Sequence, residues 1–130
     1  METKKIKYRS HRGGVYYTPE NTMPAFLDAL EKGFDQIETD PNCTKDGVVV
    51  LMHDDTINRT CRHADGSLIE KPIRISETTY EELLSFDAGI AHGEQFRGTM
   101  THGIISAINR DIDYNGHMNN THYPDMLCRV

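Results

Sequence analysis

Five side chains in the first half of the chain could together support metal-assisted phosphate chemistry: His11, Arg12, Glu38, Asp40 and His53. Hydrolysis of a phosphodiester needs positive charge near the phosphoryl oxygens, a base for the attacking hydroxyl and an acid for the leaving oxygen. A guanidinium binds phosphate through two parallel hydrogen bonds. The two imidazoles can divide the base and acid roles because histidine titrates near neutral pH. The two carboxylates offer the hard oxygen ligands that Mg²⁺ and Ca²⁺ prefer.

All five residues follow or end short segments whose patterns predict β-strands, at residues 6–9, 34–40 and 48–52. The alternation of side chains along a strand places Gln36, Glu38 and Asp40 on one face of the second segment. The third segment is apolar on both faces, as in a buried sheet. Because strand ends gather at one rim of a parallel sheet or barrel, we expect the five side chains to lie close together.

The elements between these strands are also predicted by spacing. Apolar residues recur at helical intervals over residues 22–32, where Asn21 or Thr22 offers a cap, Pro24 fits the first turn and Gly33 ends the helix. A right-handed strand–helix–strand crossover then predicts parallel pairing of the first two strands. A second helix is predicted over residues 76–86, with a capping box formed by residues 78 and 81.

These motifs resemble the glycerophosphodiester phosphodiesterase family over residues 6–99, in their order and spacing. The residues that carry the resemblance are His11-Arg12-Gly13, Pro19-Glu20-Asn21-Thr22, Gly33-Phe34-Asp35-Gln36-Ile37-Glu38-Thr39-Asp40, Thr44-Lys45-Asp46-Gly47, His53-Asp54 and Arg59-Thr60. The resemblance implies an α/β fold, the N-terminal part of a TIM barrel, with the small family insertion at about residues 54–96.

The resemblance also implies roles for the five site residues. It implies that Glu38 and Asp40 bind a divalent metal, Mg²⁺ or Ca²⁺, and that Arg12 holds the substrate phosphate. His11 and His53 would then be the general acid and base. The implied substrates are deacylated phospholipids such as glycerophosphocholine, and the products are an alcohol and glycerol 3-phosphate. Glu20 is expected either to orient the loop that carries His11 or to be an ordinary surface residue.

The last part of the chain departs from that family. A third acidic metal ligand and a lysine near the phosphate are not recognisable after Thr99, and residues 104–127 resemble the hot-dog-fold acyl-ACP and acyl-CoA thioesterases instead. That resemblance implies an alternative site at Asp113, Asn115 and His117. A polar tail without fixed structure is the other interpretation of residues 100–130. The expected domains are therefore residues 1–99 and a tail that is not an independent domain.

Length limits what can be expected of the chain alone. It has 130 residues, whereas a complete TIM barrel takes about 250. Three barrel strands and one barrel helix would leave a sheet edge uncovered, so we expect a truncated barrel that associates into a homo-oligomer or rearranges. Catalytic activity and a non-catalytic, chimeric fragment both remain open at this point, and a hot-dog thioesterase is a third alternative.

Composition narrows the partners and the location. The net charge is −6 and no segment is strongly basic, which argues against nucleic acid. No apolar run approaches the roughly 20 residues of a membrane span, and no signal peptide is recognisable. The three cysteines are odd in number and lack CxxC spacing, which favours free thiols and a cytoplasmic location.

Overall fold

The computed structural model describes residues 3–99. Strand β1 (Arg9–Ser10) and strand β2 (Gln36–Ile37) pair in parallel, with Arg9 opposite Gln36 and Ser10 opposite Ile37. Helix α1 (Met23–Glu31) connects them. The predicted strand–helix–strand unit is therefore confirmed, although both strands are shorter than the sequence pattern suggested.

Helix α1 begins and ends within one residue of its predicted bounds. Thr22 is the N-cap residue and a proline lies in the first turn, where its missing N–H has no helical partner to lose. The helix buries Ala25, Phe26 and Ala29. Its buried face packs so closely on the turn after β1 that a Cβ on Gly13 would lie 2.7 Å from Phe26 Cδ1.

The next two strands form a hairpin. Strand β3 (Pro41–Cys43) pairs antiparallel with strand β4 (Val49–Leu51), across a turn closed by the bond from the Gly47 N–H to the Thr44 carbonyl. Residues 48–52 are predicted to form a further strand of a parallel barrel sheet. The strand is present, but the expected parallel pairing is wrong, because β4 pairs antiparallel with β3. A connection this short joins antiparallel strands only, because a parallel crossover needs about a dozen residues or more.

The second helix also differs from its prediction. Residues 76–86 divide into a 3-10 turn (Ile75–Glu77), the short helix α2 (Tyr80–Leu83) and a residue pair in strand β6 (Phe86–Asp87). The break falls at Thr78, whose backbone is extended. The capping box is formed by Thr79 and Glu82, one residue later than predicted. Strand β6 pairs antiparallel with strand β5 (Arg62–His63), and two further 3-10 turns follow (Ile90–His92, Glu94–Phe96).

The main apolar core joins the hairpin to the segment after it. Its buried members are Val50, Met52, Ile57, Cys61, Ile69, Ile75, Leu83 and Ala88. Strand β4 is buried throughout, as its apolar sequence predicted. The core thus fixes the position of the chain that leaves β4, and this part of the chain carries His53.

Two of the cysteines lie in the described part of the chain. Burial raises the pKa of the Cys61 thiol to about 12, which keeps it protonated and unreactive. Cys43 is disulfide-bonded, so the prediction of three free thiols is wrong at that position. Within residues 3–99, no helix is long and apolar enough to cross a membrane.

Candidate active site

The parallel pairing of β1 and β2 places the histidine–arginine turn beside Glu38. The Glu38 N–H donates to the Ser10 carbonyl at 2.9 Å, and this bond continues the β1–β2 ladder past the end of β2. The turn (His11–Gly13) then bends sharply, with Arg12 in the left-handed region at φ 54° and ψ 31°. This bend directs the Arg12 N–H to Glu38 Oε2 at 3.0 Å. The two predicted site segments are therefore held together by two hydrogen bonds, one donated by the Glu38 N–H and one by the Arg12 N–H.

The Arg12 side chain lies between two carboxylates. Its Nη1 donates to Glu20 Oε1 at 3.2 Å, and its Nε lies 3.6 Å from Asp40 Oδ2, too far for a hydrogen bond. The side chain is only 16% exposed. Among residues 3–99, no acceptor lies within hydrogen-bonding distance of the buried Nε. A buried donor without an acceptor is costly, and here the Nε is enclosed by the protein and faces the Asp40 carboxylate.

Asn21 fixes Asp40, the second of the two carboxylates that are predicted to bind the metal. Its Nδ2 donates to Asp40 Oδ2 at 3.1 Å, and its Oδ1 accepts the Asp40 N–H at 3.3 Å. Its own backbone has a positive φ of 58°, and its N–H bonds to the Arg12 carbonyl at 2.8 Å. The interpretation of Asn21 as a helix cap is wrong, because Thr22 occupies the cap position and the Asn21 amide pairs with Asp40 instead.

His11 is the most exposed of the five predicted residues. Its side chain is 63% exposed, and its Nε2 lies 3.9 Å from Glu38 Oε2. At this separation a protonated imidazole and the carboxylate attract each other without a direct hydrogen bond. His11 therefore lies beside Glu38, one of the two predicted metal-binding carboxylates, and its side chain is open to solvent and substrate.

His53 belongs to a chain of charged side chains that reaches back to Arg12. Its Nδ1 is 2.7 Å from Asp54 Oδ1. Arg59 bonds to both oxygens of Asp54, at 2.7 and 3.2 Å, and to both oxygens of Glu20, at 2.6 and 3.2 Å. Glu20 in turn accepts from Arg12. We call Arg12, Glu20, Arg59, Asp54 and His53 the relay cluster.

The electrostatics of the relay cluster keep its carboxylates ionised. Hydrogen bonds from Arg59 and then His53 lower the pKa of Asp54 to about 2. Burial alone would raise the pKa of Glu20, but the hydrogen bonds and charges of Arg59 and Arg12 outweigh burial and lower it. The same two carboxylates raise the pKa of Arg59. All three groups are therefore charged at neutral pH.

The sequence indicated some members of this site and missed others. Arg59 and Asp54 belong to motifs that carry the family resemblance, but the sequence predicts no role for either. The only sequence signal for them is the fixed position of Arg59-Thr60 shortly after His53-Asp54. Arg59 contacts Glu20, which lies 39 residues away in the chain. No local pattern reveals a contact at that separation.

Glu38 and Asp40 both supply carboxylate oxygens, the type of ligand that Mg²⁺ and Ca²⁺ bind. Each carboxylate is oriented through one oxygen, Oε2 of Glu38 by the Arg12 N–H and Oδ2 of Asp40 by the Asn21 amide. Ca²⁺ takes about six to eight oxygen ligands and Mg²⁺ six, so two carboxylates supply only part of a shell. Within the described chain, no group of three or more His, Cys, Asp or Glu side chains is placed to hold a metal.

The alternative site predicted from the thioesterase resemblance falls outside this description. Asp113, Asn115 and His117 lie beyond residue 99, the last residue that the structure describes. The predicted boundary between residues 1–99 and 100–130 also lies at that limit. Both therefore stay predictions.

Comparison with solved structures identifies the larger fold to which these elements correspond. A glycerophosphodiester phosphodiesterase from Agrobacterium tumefaciens matches 75% of this chain with a TM-score of 0.64 and 32% sequence identity, over 38% of its own length. A phosphodiesterase from Oleispira antarctica, in complex with the product sn-glycerol-3-phosphate, matches 72% with a TM-score of 0.62 and 31% identity, over 34% of its length. The structure is a partial α/β fold of the TIM-barrel type, as predicted.

Sequence comparison finds further proteins named glycerophosphodiester phosphodiesterase. A glycerophosphodiester phosphodiesterase from Caldanaerobacter subterraneus subsp. tengcongensis is 43% identical over 89 residues, which are 68% of this chain and 33% of that protein. Human glycerophosphodiester phosphodiesterase 1 is 35% identical over 88 residues, or 24% of its length. This chain thus spans a third or less of these two curated relatives. The model of the glycerophosphoryl diester phosphodiesterase family matches residues 11–127, and the chain belongs to that family.

Proposed function

We propose that this chain carries the N-terminal part of the active site of a glycerophosphodiester phosphodiesterase, which hydrolyses its substrate to an alcohol and glycerol 3-phosphate. The observation that carries the proposal is the position of Arg12. Its N–H bonds Glu38 and its guanidinium lies beside Asp40, so a phosphate-binding cation and two potential metal ligands share one place. Family membership supports the same reaction.

Arg12 would hold the phosphodiester. Its Nε has no acceptor among the described residues and its side chain is held by Glu20, so the guanidinium is oriented before substrate arrives. An arginine oriented in advance stabilises charge on a phosphoryl oxygen more than a mobile one, because it needs no rearrangement during the reaction. The Oleispira antarctica phosphodiesterase binds sn-glycerol-3-phosphate, which supports a glycerophosphate group as the ligand here.

His11 and His53 would divide the proton transfers. One accepts a proton from the attacking water, and the other donates a proton to the leaving alcohol oxygen. Each lies beside a carboxylate, Glu38 for His11 and Asp54 for His53. The side chains are 63% and 45% exposed, so both imidazoles are open to substrate.

Glu38 and Asp40 would hold a divalent cation, Mg²⁺ or Ca²⁺. When bound, the cation neutralises charge on the phosphodiester and orients it. The contribution of this chain is to place the two carboxylates, through the Arg12 N–H and the Asn21 amide. Two carboxylates supply only part of the shell of either cation.

Two other parts of the proposal concern the molecule rather than the reaction. We propose that copies of the chain associate, since a partial barrel exposes the edge of its sheet. A cytoplasmic location stays a prediction. The thioesterase alternative is not favoured, because the family match runs to residue 127 and includes the segment that suggested it.

The direct test is the release of glycerol 3-phosphate from glycerophosphocholine by the purified 130-residue chain. It is measured with Mg²⁺, with Ca²⁺ and with a chelator, for the wild type, His11→Ala and His53→Ala. His63→Ala is the matched control, because that imidazole lies beside the Phe86 ring at a tilt of 39° and is not among the predicted site residues. We expect metal-dependent release that His63→Ala keeps and the other two variants lose. Equal release from all variants would contradict the proposed site.

A second test separates the roles of the residues from the completeness of the barrel. Residues 6–99 of this chain replace the matching segment of the Caldanaerobacter relative, which supplies the rest of the fold. We expect the chimera to hydrolyse glycerophosphocholine and to lose activity with His11→Ala or Arg12→Ala. A folded chimera whose activity survives both substitutions would refute the assignment of those residues.

A further inference from the structure

We propose that Arg59 is a positioning residue that holds His53 in a single neutral tautomer through Asp54 and ties that histidine to the Arg12 turn through Glu20. The inference rests on the proposed function for the role of His53. It goes beyond that function because Arg59 touches neither of the predicted metal ligands and has no other assigned role.

The first step is the geometry of the arginine. Arg59 makes four hydrogen bonds, two to Asp54 and two to Glu20, with distances between 2.6 and 3.2 Å. The planar guanidinium donates in a fixed fork, so binding two carboxylates at once fixes their relative orientation. Lysine cannot reproduce this arrangement, because its ammonium is a single point of charge.

The second step is the effect on the histidine. Both oxygens of Asp54 accept from Arg59, which fixes the plane of the carboxylate, and Oδ1 is also 2.7 Å from His53 Nδ1. An ionised carboxylate only accepts hydrogen bonds, and Asp54 is ionised at neutral pH because its pKa is about 2. Nδ1 of a neutral His53 must then carry the proton. The other nitrogen, Nε2, is left as the acceptor that a general base needs.

The third step is the connection to the phosphate-binding side. Glu20 is 11% exposed and accepts from both Arg59 and Arg12. It therefore links the segment after β4 to the turn after β1, two segments whose strands pair in different sheets. A loss of Arg59 would release both ends of this link. The relay cluster thus couples the position of His53 to that of Arg12.

The test reads the tautomer directly by nitrogen-15 NMR of the imidazoles in the full 130-residue chain, with the His53 signal assigned by its loss in His53→Gln. Spectra are recorded well above the ordinary histidine pKa of about 6.5 so that the rings are neutral. We expect the Nδ1–H form to dominate at His53 in the wild type. Arg59→Gln and Asp54→Asn should lose that preference, and Arg59→Lys should restore only part of it.

The matched control is Arg97→Gln, which removes another arginine that binds both oxygens of a carboxylate, Glu94, outside the relay cluster. It should leave the His53 tautomer unchanged, and the His11 signal serves as an internal reference in every variant. Dominance of the Nε2–H form in the wild type would overturn the proposal. An unchanged tautomer in folded Arg59→Gln would do the same. If Arg59→Gln fails to fold, Arg59→Lys decides the question, because a full wild-type preference in that variant would overturn the proposal.

The tautomer is independent of turnover, so the two proposals fail separately. The expected tautomer at His53, together with no release of glycerol 3-phosphate by the folded chimera, would refute the proposed function and leave the positioning role intact. Activity with an Nε2–H tautomer at His53 would refute the positioning role alone.

Discussion

At the scale of single residues, the site holds more negative than positive charge. Two guanidinium groups lie among four carboxylates, those of Glu20, Glu38, Asp40 and Asp54. If both histidines are counted as neutral, four carboxylates and two guanidinium groups give this part of the described chain a net charge of −2. An uncompensated pair of carboxylates is unfavourable unless a cation joins them. The residue inventory therefore supports the proposed divalent metal without choosing between Mg²⁺ and Ca²⁺.

Replacement of Arg12 tests whether catalysis needs the planar guanidinium, with its two parallel donors, or only a positive charge. Arg12→Lys keeps a positive charge but cannot bond to Glu20 and phosphate with the same geometry. A hydrogen bond to a charged group contributes about 1.5–3 kcal/mol, so kcat/KM in the chimera should fall by roughly 10- to 100-fold. Arg9→Lys is the control, because Arg9 bonds an exposed amide on β2. Equal kcat/KM for the two variants would show that the fork has no role.

Asp54 should make stability depend on acid pH. Its pKa is lowered to about 2 in the folded chain by Arg59 and His53, against about 3.9 when unfolded. Because the folded pKa is the lower one, the stabilisation is fully present above the unfolded value. It is lost as the pH falls through about 4 towards about 2. We expect Asp54→Asn to flatten the dependence of the urea midpoint on pH in that window.

The control for this titration is Asp65→Asn, a carboxylate outside the relay cluster whose pKa is also lowered, mainly by hydrogen bonds from Ser67. It removes a local turn contact and leaves the Arg59 contacts in place. If the difference in stability between the wild type and Asp54→Asn is the same at every pH, ionisation of Asp54 beside Arg59 does not stabilise the fold.

At the scale of elements, the site depends on the contact between α1 and the turn that follows β1. The turn places Arg12 and Gly13 in the left-handed region, with φ of 54° and 78°. Glycine is required at the second position because Phe26 and Ala25 of α1 leave no room for a Cβ. The helix therefore fixes the turn, and the turn fixes the N–H that bonds to Glu38.

Gly13→Ala should lower the free energy of unfolding by about 2–5 kcal/mol. A positive φ costs a residue with a Cβ about 1–2 kcal/mol, and overpacking adds roughly 1–3 kcal/mol. The new Cβ would lie 2.7 Å from Phe26 Cδ1 and 2.9 Å from Ala25 Cβ. Urea titration followed by circular dichroism measures the change.

Gly33→Ala is the matched control for the backbone term. Gly33 has a similar φ of 79°, but nothing lies within 4 Å of a Cβ built there. It should therefore show only the cost of the positive φ. Equal losses at the two positions would mean that the contact with α1 does not constrain the turn.

At the scale of the whole molecule, the described part of the chain has one substantial core and one uncovered apolar helix face. The core lies between the hairpin and the segment after it. Leu27 and Leu30 of α1 are 58% and 62% exposed, and Tyr16 and Tyr17 before the helix are more exposed still. Exposed apolar groups of this size commonly mark surfaces that another chain segment or subunit covers.

We expect the 130-residue chain to sediment as more than a 14.8 kDa monomer. Leu27→Gln combined with Leu30→Gln should shift it towards the monomer, because the substitutions remove apolar area from the uncovered face. Leu68→Gln is the control, as that side chain is 68% exposed and lies elsewhere in the chain. A wild-type chain that sediments as a monomer at all concentrations would contradict association through this face.

The sequence by itself determined the local features of this protein. It located α1 to within a residue, because cap, proline and apolar spacing act over one or two turns. It also indicated the family and the parallel pairing of β1 with β2, since motif order and crossover handedness need no long-range detail. Its five candidate residues stay a prediction, although four of them, His11, Arg12, Glu38 and Asp40, lie together in the structure.

Only the tertiary structure decided which side chains those residues contact. Asn21 reaches Asp40 across 19 residues, and Arg59 reaches Glu20 across 39. It also decided that β4 turns back onto β3 and that Thr78 interrupts the second helix. The physical reason is that hydrogen-bond partners and strand pairing are selected by packing among distant segments, which local propensity and residue spacing do not encode.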